Sequence, residues 1–383
     1  MLEGVNVALG VSGSIAAVKV VELAHELRRR GASVRAVMTE SAQGIIHPWA
    51  VEFATENDVV TEITGRVEHV ELCGRDGWAD VLLLAPATAN TVGKIAAAID
   101  DTPVTTTATT ALGAGVPVVV APAMHEPMYD HPGVLDAIER VREWGVAFAD
   151  PRVEEGKAKI ATEDAICLEV ARAAGDRPLA GKHVVVTSGA TSEPIDPVRV
   201  LTNRASGRTG RAVARACYVR GADVTLVHDG EDVPYATVER VETAAEMLAA
   251  TLDACADADA LISAAAISDY TVEPAESKIR SKQDLTLDLT PTKKLIDTVR
   301  EEYPDLPIVG FKAETSGEDD AMIAEARRIL DRADLAFVVA NDASVMGDEE
   351  TRALLVDGEN APEFAGSKDA LGLRIADELA NRI

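Results

Sequence analysis

Apolar positions in the first 175 residues fall into two patterns. Short uninterrupted runs rich in Val, Leu and Ala occupy 5–11, 33–38, 80–85, 117–121 and 146–148. Between and after them, at 14–30, 47–55, 89–98, 104–112, 132–144 and 162–174, apolar residues recur every three to four positions. The first pattern predicts strands buried on both faces, and the second predicts amphipathic helices. Their alternation predicts an α/β fold with a parallel sheet covered on both sides. The series then restarts, with strands expected at 183–187, 223–227, 259–264, 307–311, 335–340 and 353–355. Its helices are expected at 208–220, 243–254, 294–302, 319–332 and 369–382. Gly175 to Gly181, with Asp176 and Pro178 inside it, interrupts the periodicity and marks a linker. Two α/β domains follow, 1–176 and 182–383, the first flavodoxin- or Rossmann-like and the second Rossmann-like, which suits a 383-residue chain.

Composition narrows the function classes. Asp and Glu outnumber Lys and Arg by 64 to 37, a net charge of −27 without a basic stripe, which argues against nucleic acid as partner. Such acidity suits a salt-rich cytoplasm, or simply an acidic cytosolic protein. The four cysteines are widely spaced and form no CxxC, so neither a disulfide scaffold nor a zinc site is expected, and a reducing cytoplasm is. Thr102 to Met124 is uncharged, but Pro103, Pro117, Pro122 and many threonines predict a helix and a buried strand, not a membrane span. Glu3 interrupts the apolar start, which argues against a secretory leader.

Ligands of open parallel sheets bind outside the carboxyl ends of the strands, and the distinctive residues lie there. Gly10-Val11-Ser12-Gly13-Ser14-Ile15 joins the first strand to the first helix; Ser14 can cap that helix, and Gly13 lets backbone approach a phosphate. Met38-Thr39-Glu40-Ser41 and Ala85-Pro86-Ala87-Thr88-Ala89-Asn90 end the next two strands, so three small-residue loops begin to describe one pocket. His69 precedes Trp78-Ala79-Asp80, and a neutral imidazole suits a general base near neutral pH. His47, which can also cap a helix, is the second choice for that base. In the second half, Thr187 to Gly210 (TSGATSEPIDPVRVLTNRASGRTG) runs from a strand through a long Gly- and Pro-containing loop into a helix, an arrangement that converges N–H groups on an anion. Neither GxxxxGK[ST] nor GxGxxG is present. Ala264 to Tyr270, Glu276 to Lys282, Val309 to Thr315 and Ala340-Asn341-Asp342 supply the remaining loops, the second of them basic in an acidic chain.

These motifs carry a resemblance. SGAT-SEPIDPVR-LTNRASG, AxSDY, GFxAET and AND are similar in order and spacing to phosphopantothenoylcysteine synthetase, the ligase half of the bifunctional coenzyme A biosynthesis family. GxSGSIAA, APATAN and Ala121-Pro122-Ala123-Met124-His125-Glu126-Pro127-Met128 resemble the flavin-containing cysteine decarboxylases that form the other half. The resemblance implies FMN held by Gly13, Ser14, Ile15, Ser41, Pro86, Ala87, Thr88 and Asn90, and substrate held by Ala123, His125, Met128 and Lys157. His69 is implied as the catalytic base. It further implies CTP bound by Gly189, Ala190, Thr191, Ser206, Gly207, Asp269, Lys278, Lys282, Phe311, Asn341 and Asp342, with Asn203 and Lys278 catalytic. The expected reaction joins L-cysteine to 4′-phosphopantothenate through an acyl-CMP, with Mg²⁺, and decarboxylates the product to 4′-phosphopantetheine. A homo-oligomer is implied, trimeric in the flavoprotein halves and dimeric in the ligase halves. Sequence assigns no metal ligand and does not separate CTP from ATP.

Four departures stand out. His125 replaces an expected Asn, as the resemblance implies for archaeal members, and Arg280 replaces a Lys. Cys73 to Gly77 lengthens the loop after His69, and the stretch 153–161 lacks the cysteine that supplies a late proton in relatives. Cys73 is the one thiol placed to substitute, with His125, Lys157 and Lys159 as other acids. Two alternatives from other classes remain, a non-catalytic regulatory flavoprotein and a two-domain nicotinamide oxidoreductase. The absence of GxGxxG disfavours the second.

Overall fold

The computed structural model describes residues 1–154, 157–280, 285–314, 319–342 and 350–383. They form two compact units, Met1–Gly175 and Asp176–Ile383. In the first unit the strands are β1 (Asn6–Val11), β2 (Ser33–Met38), β3 (Val81–Ala87), β4 (Val118–Pro122), β5 (Met124–His125), β6 (Ala147–Phe148), β7 (Arg152–Glu154) and β8 (Lys157–Lys159). Five of them make a parallel sheet in the order β2-β1-β3-β4-β6. That order is the flavodoxin-like one, whose switch point lies between β1 and β3. Val81 to Ala87 is buried at every residue, as an uninterrupted apolar strand between two helical layers requires. The uncharged stretch after Thr102 resolves into a helix, Pro103–Ala114, and then β4. Thr102 and Thr105 form a capping box at its start, Pro103 takes the first turn, and Gly115 closes it at φ 80°.

The second unit contains β9 (His183–Thr187), β10 (Ser192–Asp196), β11 (Arg199–Thr202), β12 (Asp223–His228), β13 (Thr237–Arg240), β14 (Ala260–Ser263), β15 (Tyr270–Val272), β16 (Leu289–Pro291), β17 (Ile308–Glu314), β18 (Phe337–Asp342), β19 (Glu350–Val356) and β20 (Glu363–Ser367). Its main sheet runs β13-β12-β9-β14-β17-β18-β19-β20. The first six strands are parallel and, counted along the unit, follow the Rossmann order 3-2-1-4-5-6. The last two are an antiparallel extension. Apolar clusters fill both faces of this sheet, one around Val186, Val213, Leu226 and Leu371, the other around Val185, Met247, Leu261 and Leu354.

Several expectations need correction. The helix expected at 14–30 is a 3₁₀ turn, Ile15–Lys19, followed by an α-helix, Val20–Arg29. Small antiparallel pieces escaped the pattern: β5 with β7 and β8, the hairpin β10–β11, and β15 with β16. A parallel edge strand, β13, also escaped it. The apolar segment after Val67 is a helix, Glu68–Cys73, entered through Val67 at φ 53°. Among the described residues no helix is long and apolar enough to cross a membrane.

Candidate functional sites

In the first unit the strand ends converge at the switch point. Ser12, buried directly after β1, donates through Oγ to the Pro86 carbonyl at 2.6 Å and accepts from the Thr88 N–H at 3.1 Å. Ser14 Oγ caps the 3₁₀ turn, accepting from Ala16 N–H, and donates to the Ala123 carbonyl at 3.3 Å. A Cβ at Gly13 would fall 2.3 Å from Ser41 Oγ, so only glycine allows these two loops to meet. Ser41 Oγ lies 3.0 Å from Thr39 Oγ1. Thr88 caps the helix Ala89–Ala96, accepting from Thr91 N–H at 3.2 Å, and its own N–H donates to Ser12 Oγ, so this helix start sits beside Ser12. Gly13, Ser14, Ser41, Pro86, Ala87 and Thr88 are thus gathered, with Asn90 exposed on the helix and Ile15 exposed at 76%.

His125 ends β5 and is exposed, as half of Met128 is, while Ala123 is buried. Backbone register sets Lys157 opposite His125 and Ala158 opposite Met124, so the hairpin of β7 and β8 lies along the PAMHEPM segment. His69 occupies the second position of Glu68–Cys73. It is half-buried, and its Nδ1 is buried without a hydrogen-bond partner among the described residues. The bonds that gather the flavin loops do not include His69. His47 does cap a helix, accepting from Trp49 N–H at 3.2 Å. Cys73 is fully buried, and burial pushes its thiol up to about 12. Its side chain faces the apolar cluster rather than solvent, which sets burial against its use as the substitute donor.

In the second unit the loops after β9 and β14 lock together at the other switch point. Ala266 N–H donates to the Gly189 carbonyl at 2.8 Å, and Ser268 N–H donates to Thr191 Oγ1 at 2.8 Å. Asn203 Nδ2 donates to the Ala266 carbonyl at 3.0 Å, which brings the NRASG segment to the same edge. Gly207, at φ 69°, begins the helix Arg208–Val219; a Cβ there would lie 3.0 Å from Gly189 backbone. Ser188 Oγ donates to the Gly207 carbonyl at 2.9 Å, and a Cβ on Gly210 would strike Ser188 at 2.6 Å. The helix N-terminus, with no side chain capping it, therefore opens over the SGAT loop.

Around it lies a cleft of about 360 Å³. Gly189, Ser206, Gly207, Asp269, Phe311 and Asn341 line it, as expected. Ala190 and Thr191 do not; Thr191 is buried and braces the two loops, accepting from Ser268 N–H. Asp269 is bound to the Lys294 ammonium. Asp342 ends β18, Lys282 lies outside the described residues, and Lys278 is exposed on the neighbouring loop without lining the cleft. Arg208, within the phosphate-compatible piece Ser206 to Gly210, also lines it, whereas Arg204, Lys312, Thr351 and Lys368 were not foreseen as site residues. Arg204 was visible inside NRASGRTG, and Lys312 inside GFKAET. Thr351 and Lys368 reach the cleft only through the antiparallel extension and the last helix, for which local sequence gives no signal.

Residues 1–175 match the family described as Flavoprotein, and residues 179–383 match the DNA/pantothenate metabolism flavoprotein C-terminal domain. The coenzyme A biosynthesis bifunctional protein CoaBC of Thermococcus kodakarensis is 48% identical over 99% of this chain and 95% of its own. That of Methanocaldococcus jannaschii is 35% identical over 99% and 94%. The chain belongs to the bifunctional coenzyme A biosynthesis protein family. Among solved structures, the DNA/pantothenate metabolism flavoprotein from Streptococcus pneumoniae aligns with 53% of this chain and all of its own, at 23% identity and a TM-score of 0.49. As a member of the family the chain is an enzyme with a flavoprotein decarboxylase half and a ligase half. The two rival readings receive no support from these matches.

Proposed function

We propose that the second unit activates 4′-phosphopantothenate with CTP and joins it to L-cysteine, and that the first unit decarboxylates the product with FMN. The observation that carries this reading is the pair of switch-point sites, one on each unit, each built from the motifs of its own half. In the ligase site the substrate carboxylate attacks the α-phosphorus, pyrophosphate departs, and the cysteine amine displaces CMP from the acyl carbon. The N-terminus of Arg208–Val219 and the cations of the cleft offset the phosphate charge. Asn203, fixed by its bond to Ala266, steers the amine. Among the described residues no cluster of three His, Cys, Asp or Glu can hold a metal. Mg²⁺ would enter with the nucleotide phosphates, as this ion commonly does.

The first-unit loops fit a flavin mononucleotide: the Gly13 cradle and the Thr88-capped helix suit its phosphate. The bound flavin supplies reversible two-electron chemistry at the cysteine-derived thiol. His69 takes the thiol proton, and His125 with the β7–β8 hairpin holds the substrate. Ile15, Val18, Trp49 and Phe53 are exposed beside these loops and on a nearby helix, which supports a homo-oligomer that covers them. Four buried free cysteines support a reducing, cytoplasmic setting.

Two variants test the reading. His69→Asn should keep bound flavin and amide formation but evolve no carbon dioxide. Asn203→Asp should accumulate the acyl-nucleotidylate, because its carboxylate cannot donate to the Ala266 carbonyl. Normal decarboxylation in the first, or normal turnover in the second, would remove that residue from the mechanism.

A further inference from the structure

Glu193, the second residue of β10, is 3% exposed, and among the described residues no Lys or Arg pairs with it. Both of its oxygens accept from neutral donors, Oε1 from Ala244 N–H at 2.9 Å and Oε2 from the Thr271 hydroxyl at 2.7 Å. Ala244 is the first residue of the helix Ala244–Cys255, and the capping box of Thr243 with Glu246 does not reach this N–H. The positive end of a helix suits a carboxylate, which accounts for one of the two bonds. The other joins β10 to a strand that belongs to a different part of the site.

Thr271 lies in β15, two residues after Asp269, which lines the ligase cleft. Just before Asp269, Ser268 N–H donates to Oγ1 of Thr191, two residues before Glu193. Thr292 holds the same segment from its other side: its Oγ1 donates to the Ser268 carbonyl at 2.6 Å and its N–H to the Asp269 carbonyl at 3.0 Å. Among the described residues β15 pairs with β16 alone, a three-residue strand exposed throughout, and not with the main sheet. The segment that presents Asp269 is therefore tied down on both flanks by side chains, Thr191 ahead of it and Glu193 behind. Asn203 is held independently of Glu193, by its own bond to the Ala266 carbonyl and by Thr202 Oγ1 donating to the Thr191 carbonyl at 2.8 Å.

We propose that Glu193 is a positioning residue of the ligase reaction. Through Thr271 it fixes the strand behind Asp269, and so orients the nucleotide in the cleft without touching it. This role rests on the ligase reading. It belongs to the step that forms the acyl-nucleotidylate and not to amine transfer, because the side chain that steers the amine has its own anchors.

The test uses the full-length protein, with CTP binding read by calorimetry and the two steps timed separately. Pyrophosphate release is followed with CTP and 4′-phosphopantothenate before cysteine is present, and amide formation after cysteine is added to the accumulated acyl-nucleotidylate. Glu193→Ala should weaken CTP and slow pyrophosphate release, each by about tenfold or more, with amine transfer unchanged. A glutamine oxygen can accept from Ala244 N–H while its amide donates to Thr271 Oγ1, so Glu193→Gln should recover both readouts to within about threefold. Thr271→Val leaves Glu193 on the helix start and should reproduce the alanine defect; it decides the matter if the alanine variant does not fold. Combining the alanine and valine changes should add nothing to either alone. Normal CTP affinity and pyrophosphate release in Thr271→Val overturn the proposal. Equal slowing of both steps also overturns it and marks Glu193 as merely structural, and so does a glutamine variant as defective as alanine. Wild-type protein that forms no amide would reject the ligase reading instead, while CTP affinity, read without turnover, still judges Glu193.

Discussion

Cys73 lies four residues after His69, a spacing that invites a role for its thiol at the flavin site. Burial argues otherwise: the side chain is closed inside an apolar cluster, where ionisation is unfavourable and the thiol is pushed up to about 12. The same cause raises Cys167, Cys217 and Cys255 to about 12. At pH 8 none should react with iodoacetamide in the native protein, and all four should react after unfolding. Cys73→Ala should leave the yield of 4′-phosphopantetheine intact at some cost in stability; serine is the wrong replacement because it would bury a hydroxyl. Enethiol accumulating in the alanine variant would restore Cys73 as donor. His228 makes a similar point. At 1% exposure, burial first and then the Arg211 charge lower its pKa against the pull of Asp229, so it is neutral at pH 7. Neither cysteine nor histidine can be judged from spacing alone, because burial is set by elements far away in sequence. The small residues of the phosphate loops were legible, since glycine and serine at strand ends have a local reason to be there.

At the scale of elements, the hairpin β10–β11 was invisible because Pro194 and Pro197 read as a long irregular loop. Its consequence is a latch. The side chain of Asp196 is fully buried and accepts from Val198 N–H at 2.8 Å, Arg199 N–H at 3.0 Å and Ile279 N–H at 3.1 Å. Arg199 donates in turn to the Ile279 carbonyl. The residue after Lys278 is thus held at both of its backbone polar groups. Burial alone would raise the Asp196 carboxyl; the three N–H groups and the Arg199 charge outweigh it and hold it below the ordinary carboxylate range. A group depressed on folding favours the folded state above its unfolded value, near 3.9, and that contribution is lost as pH falls through the lower one. The latch is therefore closed at neutral pH. Asp196→Ala should release it: hydrogen exchange at 276–280 should rise, and nucleotide activation should slow by up to about 100-fold, as it should in Lys278→Gln, where the charge that Lys278 would offer the developing negative phosphates is lost. Slow amine transfer with normal activation would show that the latch does not serve Lys278.

Across the whole molecule, two sheets with different strand orders were foreseen only as two alternating series. The apolar runs predict how many strands there are but not which pair, because strand order depends on crossovers that each run does not encode. The antiparallel strands β19 and β20, which bring Thr351 and Lys368 to the ligase cleft, lay beyond that reading for the same reason. The boundary between the units is sharper in the structure than in the pattern. A polar, Pro-containing stretch suggested that the second half begins at 182, yet Leu179 is fully buried within the apolar cluster of the second unit. Its N–H donates to the Arg220 carbonyl at 3.0 Å, and Gly221 at φ 103° lies against Arg177 and Ala180. A fragment that starts at 182 therefore loses a core leucine and the turn that seats Ala222 and Val224. Loss of such a side chain costs about 2–5 kcal/mol. We expect residues 1–175 expressed alone to bind FMN and residues 176–383 to form the amide. Residues 182–383 should melt several degrees lower than 176–383, and Leu179→Ala in the longer fragment should reproduce most of that deficit. Equal melting of 176–383 and 182–383 would show that Leu179 merely rests on a core complete without it. Aggregation of both 1–175 and 176–383 would show instead that neither half folds without the other.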